Sequence, residues 1–394
     1  MKLNSVYTGH ILDILTILPD DSIDCVVTSP PYWQLRDYGK DAYAIWGGDS
    51  QCKHEWERIV TRSDNFRHRE GKTSTVGTIL NKSIYTNPNV KSAFCKKCNA
   101  WWGQLGLEPT FNQYIQNLCI VFEKIKKSLK PKGTLWVNLG DTYAGSGGAG
   151  GDWTKGGRAK EPKWKQPKID YPAKSLFMIP FRFATKMVDD FGWILRNTII
   201  WQKPNCIPSP VKDRFTVNFE YLFLFSQSNK YFFNQQFDPY IEPLKRWGGA
   251  ELKADKEILD GSPSNYKSAY RRRKMRPNPK GKNKRTVWNI PTKPLKDAHF
   301  ATFPLELIRT PIDAGTPSNG VVFDPFIGAG TVGMVALELK RNFVGVELNP
   351  KYVKIANKRI TDFCKEQDIN KNINVFDKKS TTRLIRLKQL LSPY

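Results

Sequence analysis

Two short polar segments carry residue types that suit chemistry. The first is Ser29-Pro30-Pro31-Tyr32, which follows Thr28 and the apolar run Cys25-Val26-Val27. An apolar run of that length reads as a buried strand, and a polar loop at a strand end is where open α/β sheets build ligand sites. Consecutive prolines fix φ and remove backbone donors, so the loop offers carbonyl acceptors, with the Tyr32 ring as a flat face at its rim. Such a loop suits a planar ring carrying an exocyclic amine. Taken alone, the tetrapeptide reads equally as a proline-rich turn after a strand. The second segment is Asp324-Pro325-Phe326-Ile327-Gly328-Ala329-Gly330-Thr331, which follows Val321-Val322-Phe323 and leads into a helical pattern from Val332 to Leu339. Gly328 and Gly330 let a ligand approach the backbone, and the segment lacks the Gly-Lys-Ser/Thr ending of a phosphate cradle. The next apolar run, Phe343 to Val346, ends in Glu347, where an acid reaches ribose hydroxyls. Strand, glycine turn, helix, strand and acid together predict a nucleoside-cofactor site.

A third group is Cys52-x-His54 with Cys95-x-x-Cys98. Four soft or borderline ligands in two tight pairs predict a closed structural zinc site at the base of an insertion. Thr61 to Lys91, between the pairs, reads as a long polar loop without a core of its own. A redox Cys-x-x-Cys is the alternative, opposed by the accompanying Cys-x-His and by the neighbouring Trp56, Phe94 and Trp101. His10, His68 and His299 have no partners at ligand spacing.

The elements that must position these groups alternate between helix and strand. Tyr114 to Leu129 has helical spacing and closes on Lys130-Pro131-Lys132-Gly133, a helix stop before a strand from Thr134 to Leu139. Asp141 then follows in Gly140-Asp141-Thr142-Tyr143, as a helix cap or a pocket residue. Leu176 to Phe191 reads as a helix and Trp193 to Trp201 as a strand. Glu220 to Phe225 and Lys230 to Phe233 read as a hairpin.

With 394 residues, 40% of them hydrophobic, the chain can hold a large α/β domain with insertions. It has no apolar run of about eighteen residues and no apolar signal core, so a soluble, unsecreted protein without a membrane partner is expected. Seven cysteines, unevenly spread, fit reduced thiols plus a metal site. A net charge of +25 implies a polyanionic partner; nucleic acid, a ribosome and a membrane surface all satisfy it. Arg271, Arg272, Arg273, Lys274 and Arg276, with Lys280, Lys282, Lys284 and Arg285, crowd a stretch broken by Pro277, Pro279 and Gly281. That stretch reads as a phosphate-tracking loop or as a solvated linker.

From about residue 29 to 360 the chain resembles the β-class, circularly permuted DNA amino-methyltransferases, with the catalytic Ser29-Pro30-Pro31-Tyr32 loop first and the Asp324-to-Thr331 motif last. His299 to Pro304, with the apolar positions after it, matches the segment preceding that family's cofactor strand. The resemblance implies an α/β fold: a Rossmann-like methyltransferase sheet, permuted, with antiparallel edge strands and inserted loops. It implies S-adenosyl-L-methionine as cofactor, held by Asp324 at the methionine amino group, by Phe326, Gly328, Gly330 and Thr331, and by Glu347 on the ribose. Asp141 becomes a candidate for the base pocket, and the basic stretch a target-recognition region for double-stranded DNA. The implied organisation is a catalytic half over 1–234 with a zinc-pinned insertion at about 47–105, a recognition region at 235–286, a cofactor half at 287–364 and a tail at 365–394.

An exocyclic amine is a poor nucleophile because its lone pair is delocalised into the ring, so acceptors such as the Ser29 hydroxyl and the Pro30 carbonyl must face it, with Tyr32 stacked on the base. A base inside a duplex cannot reach such a loop and must flip out. Carbon-5 methylation of cytosine would need a Pro-Cys loop, and the chain has no Pro-Cys dipeptide. Ser at the head of the tetrapeptide is more typical of enzymes acting on the cytosine 4-amino group, while Asp or Asn favours the adenine 6-amino group; both bases present a similar edge. An RNA or protein-amide methyltransferase, and a non-catalytic zinc-pinned DNA-binding protein, are the other classes. The resemblance implies a cytoplasmic protein of a prokaryote or virus-infected host, in a restriction–modification system with a companion endonuclease or in an orphan role. The recognition sequence and the oligomeric state are not encoded legibly.

Overall fold

The structure is a computed structural model that describes residues 1–60, 91–144, 171–206, 208–240, 278, 280–292 and 303–369. The chain begins with β1 (Ser5–Thr8), one turn of helix α1 (Ile11–Ile14) and β2 (Ile23–Thr28). Four short strands follow: β3 (Ala44–Trp46), β4 (Trp56–Val60), β5 (Lys91–Cys95) and β6 (Trp101–Gly103). Helix α2 (Phe111–Ile125), β7 (Leu129–Leu139), helix α3 (Ile179–Asp189), β8 (Ile194–Gln202) and β9 (Phe219–Ser226) complete the first half. Then come β10 (Phe237–Asp238), β11 (Lys282–Asn283), β12 (Val287–Asn289), α4 (Leu305–Gly315), β13 (Val321–Asp324), α5 (Thr331–Glu338), β14 (Asn342–Glu347) and α6 (Pro350–Glu366).

Two units are distinguished, residues 1–233 with 287–394, and residues 234–286. The larger is built on an eight-stranded sheet of order β1-β14-β13-β2-β7-β9-β8-β12. The last strands of the chain thus lie between the first two, the permuted order expected from the motifs. All neighbours pair in parallel except at β9, which runs antiparallel to both β7 and β8. The reversed strand is therefore internal, and the edge beyond β8 is the short parallel β12.

Both faces of the sheet are covered, so its central strands read as unbroken apolar runs. Strand period two divides β2: Val26 packs with Tyr114, Leu118 and Phe122 of α2 and Phe183 of α3, while Cys25 and Val27 pack with Leu307 and Ile308 of α4, Val335 of α5 and Ile360 of α6. The hydroxyl of Thr110 accepts the Gln113 N–H (3.2 Å) and starts α2.

Three expectations are corrected. Helix α2 stops at Ile125, and β7 begins at Leu129 instead of Thr134. Pairing moves from Ile23–Leu129 to Cys25–Thr134, so Lys130-Pro131-Lys132-Gly133 is an excursion inside the strand, tied down by Lys130 Nζ on Asp24 Oδ1 at 2.8 Å. No 230–233 strand pairs with β9; β9 takes β7 and β8 as its neighbours. The insertion is also more than a loop. Its described parts form a four-stranded antiparallel sheet, β3-β6-β5-β4, whose Trp46 and Trp101 join the main core. Residues 61–90 lie outside the description.

In the smaller unit the described residues form the β10–β11 pair, with Asp238 accepting from the Lys284 ammonium (3.2 Å) and from the Arg285 N–H (3.2 Å). The tract from Arg271 to Arg276, His68, His299 and the tail from residue 370 lie outside the described residues. No described helix is long and apolar enough to cross a membrane.

Candidate active site

Strands β2 and β13 are neighbours, and their carboxyl ends deliver the two predicted loops side by side. Thr28 Oγ1 donates to Asp324 Oδ1 at 2.6 Å, joining residues 296 positions apart. Helix α2 follows β2 on one face and α5 follows β13 on the other, so this is the switch point where open α/β sheets bind ligands.

The catalytic loop is braced from below. Tyr114 OH donates to the Pro31 carbonyl (2.9 Å), Trp33 Nε1 to the Glu108 carbonyl (3.0 Å), and the Gln34 N–H to the Gly106 carbonyl (2.6 Å). Glu108 accepts from the Gly106 N–H (2.8 Å) and from Asn117 (3.1 Å), while burial pushes its carboxyl up to about 7.

Above this base runs a chain of hydroxyls. The Ser29 hydroxyl donates to Tyr32 Oη (3.3 Å), which donates to Glu220 Oε2 (2.7 Å). Glu220 also accepts from Asn138 Nδ2 (3.2 Å) and pairs through Oε1 with the Lys203 ammonium. Burial, reinforced by Glu220, pushes the Tyr32 phenol well above its ordinary value, so it stays a donor. Gly140 makes room for this ring, because a Cβ there would lie 2.7 Å from Tyr32 Cε2. A hydroxyl whose proton is committed to a neighbour presents its lone pairs to a ligand, which suits Ser29 to accept from an amine.

The second loop makes space. Gly328 (φ +51°) and Gly330 (φ +86°) adopt left-handed conformations, and a Cβ on Gly330 would sit 3.1 Å from Ala356 Cα of α6. Asp324 is 1% exposed; its Oδ1 takes the Thr28 hydroxyl and the Phe326 N–H (3.0 Å). Its Oδ2 is buried and has no hydrogen-bond partner among the described residues. Burial, with Glu347 adding to it, pushes the carboxyl up to about 7 against the lowering effect of those two donors. A buried carboxylate oxygen without a partner fits a cationic ammonium. Phe326 packs partly buried against the core, and Thr331 is buried at the first turn of α5. Glu347, half-buried at the end of β14, accepts the Asn349 N–H (2.8 Å), and Asn349 Nδ2 reaches the Tyr38 carbonyl (3.2 Å) beyond the catalytic loop.

Asp141 acts as a remote helix cap. Its Oδ1 accepts the N–H groups of Thr142 (2.8 Å) and Ile179 (3.1 Å), the latter in the first turn of α3, where the left-handed Met178 supplies no side-chain cap.

Cys52, His54, Cys95 and Cys98 converge, with ligand atoms all within 4.8 Å of one another. Cys52 Sγ lies 3.9 Å from Cys95 Sγ, Cys98 Sγ lies 3.4 Å from His54 Nδ1, and the Glu55 N–H points at Cys95 Sγ (3.4 Å). Zn–S bonds of about 2.3 Å in a tetrahedron put sulfurs about 3.8 Å apart, so the residues fit zinc. The predicted site residues thus fall into the main cleft and this cluster, with the arginine tract outside the description.

Sequence reasoning assigned no role to Thr28, Asn138, Lys203 or Glu220. A signal was present for two of them: Glu220 is the lone acid in the apolar run FEYLFLFS, and Asn138 the lone amide in LWVNL.

Comparison with known proteins gives the following. A family model described as DNA methylase matches residues 23–358. The Type II methyltransferase M.XycI of Xanthomonas campestris pv. cyanopsidis is 34% identical over 363 residues, 91% of this chain and 88% of that protein. Among solved structures, the PvuII DNA methyltransferase (cytosine-N4-specific) is 19% identical with TM-score 0.48, covering 92% of this chain and 91% of its own. A DNA modification methylase from Thermus thermophilus, solved with S-adenosyl-L-methionine, is also 19% identical with TM-score 0.46, covering 91% of this chain and 93% of its own.

Proposed function

Because the chain belongs to the DNA methylase family, we propose that it methylates the 4-amino group of a cytosine flipped out of duplex DNA, using S-adenosyl-L-methionine. The observation that carries this reading is the Thr28–Asp324 hydrogen bond of 2.6 Å, which sets an amine-accepting loop beside a nucleoside-cofactor loop. The cofactor supplies a sulfonium methyl group, which leaves with its carbon transferred to nitrogen and the sulfur becoming a neutral thioether. Asp324 Oδ2 receives its ammonium, Glu347 its ribose hydroxyls, and the Gly328–Gly330 turn lets it lie against backbone.

The protein's part in the transfer is to make the base amine nucleophilic and to remove a proton. The Ser29 oxygen and the Pro30 carbonyl accept from the amine and draw its lone pair out of conjugation; Tyr32 covers the ring. As the N–C bond forms, the amine proton passes to Ser29, the Ser29 proton to Tyr32, and the Tyr32 proton to Glu220. Line-up and exclusion of water matter more here than a strong base, since the donor loses its positive charge as the methyl moves. Ser29 at the head of the tetrapeptide supports cytosine over the adenine 6-amino group.

The Arg271, Arg272, Arg273, Lys274 and Arg276 tract supplies phosphate contacts to double-stranded DNA, which makes binding steeply salt-dependent. Asp141 borders the base pocket through its second carboxylate oxygen, buried and without a partner among the described residues. Cys52, His54, Cys95 and Cys98 hold a structural zinc ion that pins the insertion sheet. The protein works as the modification enzyme of a Type II system, alongside an endonuclease in the cytoplasm.

Incubation with tritiated S-adenosyl-L-methionine and unmethylated duplex DNA, followed by digestion to nucleosides, tests the reading. Label in N4-methyldeoxycytidine is expected. Label in N6-methyldeoxyadenosine moves the target to adenine, and no label in DNA removes the proposal. Metal analysis of the purified protein is expected to return one zinc per chain.

A further inference from the structure

Phe215 is 97% exposed, more than any other large hydrophobic side chain among the described residues. It belongs to the connection between β8 and β9, whose base is closed by the Lys203 N–H on the Asn218 carbonyl (2.7 Å). Two anchors hold the segment. Asp213 pairs with Lys174 at 2.6 Å, and the Arg214 guanidinium lies 3.5 Å from the centroid of the Tyr143 ring. Pro208 and Pro210 stiffen its first part. Val211 and Val217, 37% and 48% exposed, flank the ring, and Lys212 and Arg214 add positive charge.

The anchors place this ring beside the catalytic loop. Tyr143 closes the Gly140–Tyr143 turn, whose Gly140 lies against the Tyr32 ring, and Glu220, just beyond Phe215 in the chain, takes the Tyr32 hydroxyl. An apolar ring held in water on a braced, cationic loop is set up for a partner that is anionic outside and apolar within. Stacked bases behind a phosphate backbone have that character. A base leaving the helix opens a gap in the stack, and an aromatic wedge that fills it favours the extruded state.

We infer that Phe215 enters the base stack of duplex DNA at the position vacated by the target and holds the helix open while the base occupies the Ser29–Tyr32 pocket. The inference rests on the proposed DNA methylation and adds a positioning residue to it. Phe215 takes no part in bond making; it sets the fraction of bound DNA whose target is extruded.

The test compares wild type with Phe215→Ala, Phe215→Leu and Phe215→Trp in single-turnover methylation of duplex genomic DNA from a methylase-deficient bacterial strain. Phe215→Ala is expected to lower the single-turnover rate constant by about 10- to 100-fold, with unchanged cofactor affinity and unfolding temperature. Phe215→Leu and Phe215→Trp are expected to return it to within about threefold of wild type, because each restores an apolar wedge. An alanine variant at the wild-type rate overturns the inference. So does a rate loss matched by lost cofactor binding or unfolding, or one that leucine and tryptophan fail to repair. A wild-type protein that labels no DNA overturns the methylation reading itself, and the wedge with it.

Discussion

The two loops at the ends of β2 and β13 meet at one hydrogen bond, yet they are built by opposite means. In Ser29-Pro30-Pro31-Tyr32, prolines remove freedom and donors, and bonds from Tyr114 and to Glu220 hold the loop from both sides. In the 324–331 loop, glycines add freedom and space, and one buried carboxylate oxygen is left for a ligand. The first loop polarises a neutral amine, so it must offer oriented acceptors that do not move. The second receives a cation, so it must offer charge at short range in a dry place. The contrast teaches that turnover and cofactor affinity should respond to different residues even though the loops touch.

The strongest way to break the contrast is Ser29→Ala. Methyl transfer should fall by about 10³-fold with cofactor Kd nearly unchanged, measured by single turnover and calorimetry. Equal losses in both would mean that the loops act as one. The reciprocal change, Asp324→Asn, should weaken cofactor binding by about 10- to 100-fold, since a charged partner is lost, while the rate at saturating cofactor changes less. Next comes Glu220→Gln. It keeps an acceptor for Tyr32 but removes the charge paired with Lys203, and kcat should drop by about tenfold with KM for cofactor steady.

A pH series sharpens the comparison further. The Asp324 carboxyl, raised to about 7, must be ionised to hold an ammonium, so cofactor affinity should fall by up to about tenfold per pH unit below 7. Stability of the cofactor-free protein runs the other way. A raised carboxyl keeps its proton in the fold after the unfolded chain has released it, so its contribution is complete below the ordinary carboxylate range and is lost as pH climbs through about 7. Asp324→Asn should flatten both profiles. The smallest effect belongs to Thr28→Val, which cuts the link between the loops and should change turnover and cofactor affinity by about two- to fivefold each.

Much of this arrangement is legible before folding. Val26, Leu135, Phe223 and Val344 lie in central strands whose neighbours on both faces are helices, and unbroken apolar runs announce such strands. Residue pairing is less legible. Tyr231 to Phe233 looks like the second arm of a hairpin, but the strand next to β9 is the earlier β8, because periodicity records which residues want burial and says nothing about beside what. Lys130 to Gly133 has the composition of a helix stop and lies within β7, since an excursion and a terminus use the same proline and glycine. The insertion reads as a loop because its strands are short and their partners lie across residues 61–90.

By itself the amino-acid order determined the two loops and the metal-ligand set. Their content is local: proline and glycine restrict or release φ at their own positions, and Cys-x-His and Cys-x-x-Cys already bring their ligands close. Strand order determined the rest. Thr28 meets Asp324 across 296 positions, and Tyr32 meets Glu220 across 188, only because β2 lies between β13 and β7 and because β9 runs backwards beside β7. A side-chain hydrogen bond acts over about 3 Å. Which acid completes a hydroxyl chain is therefore a property of the sheet.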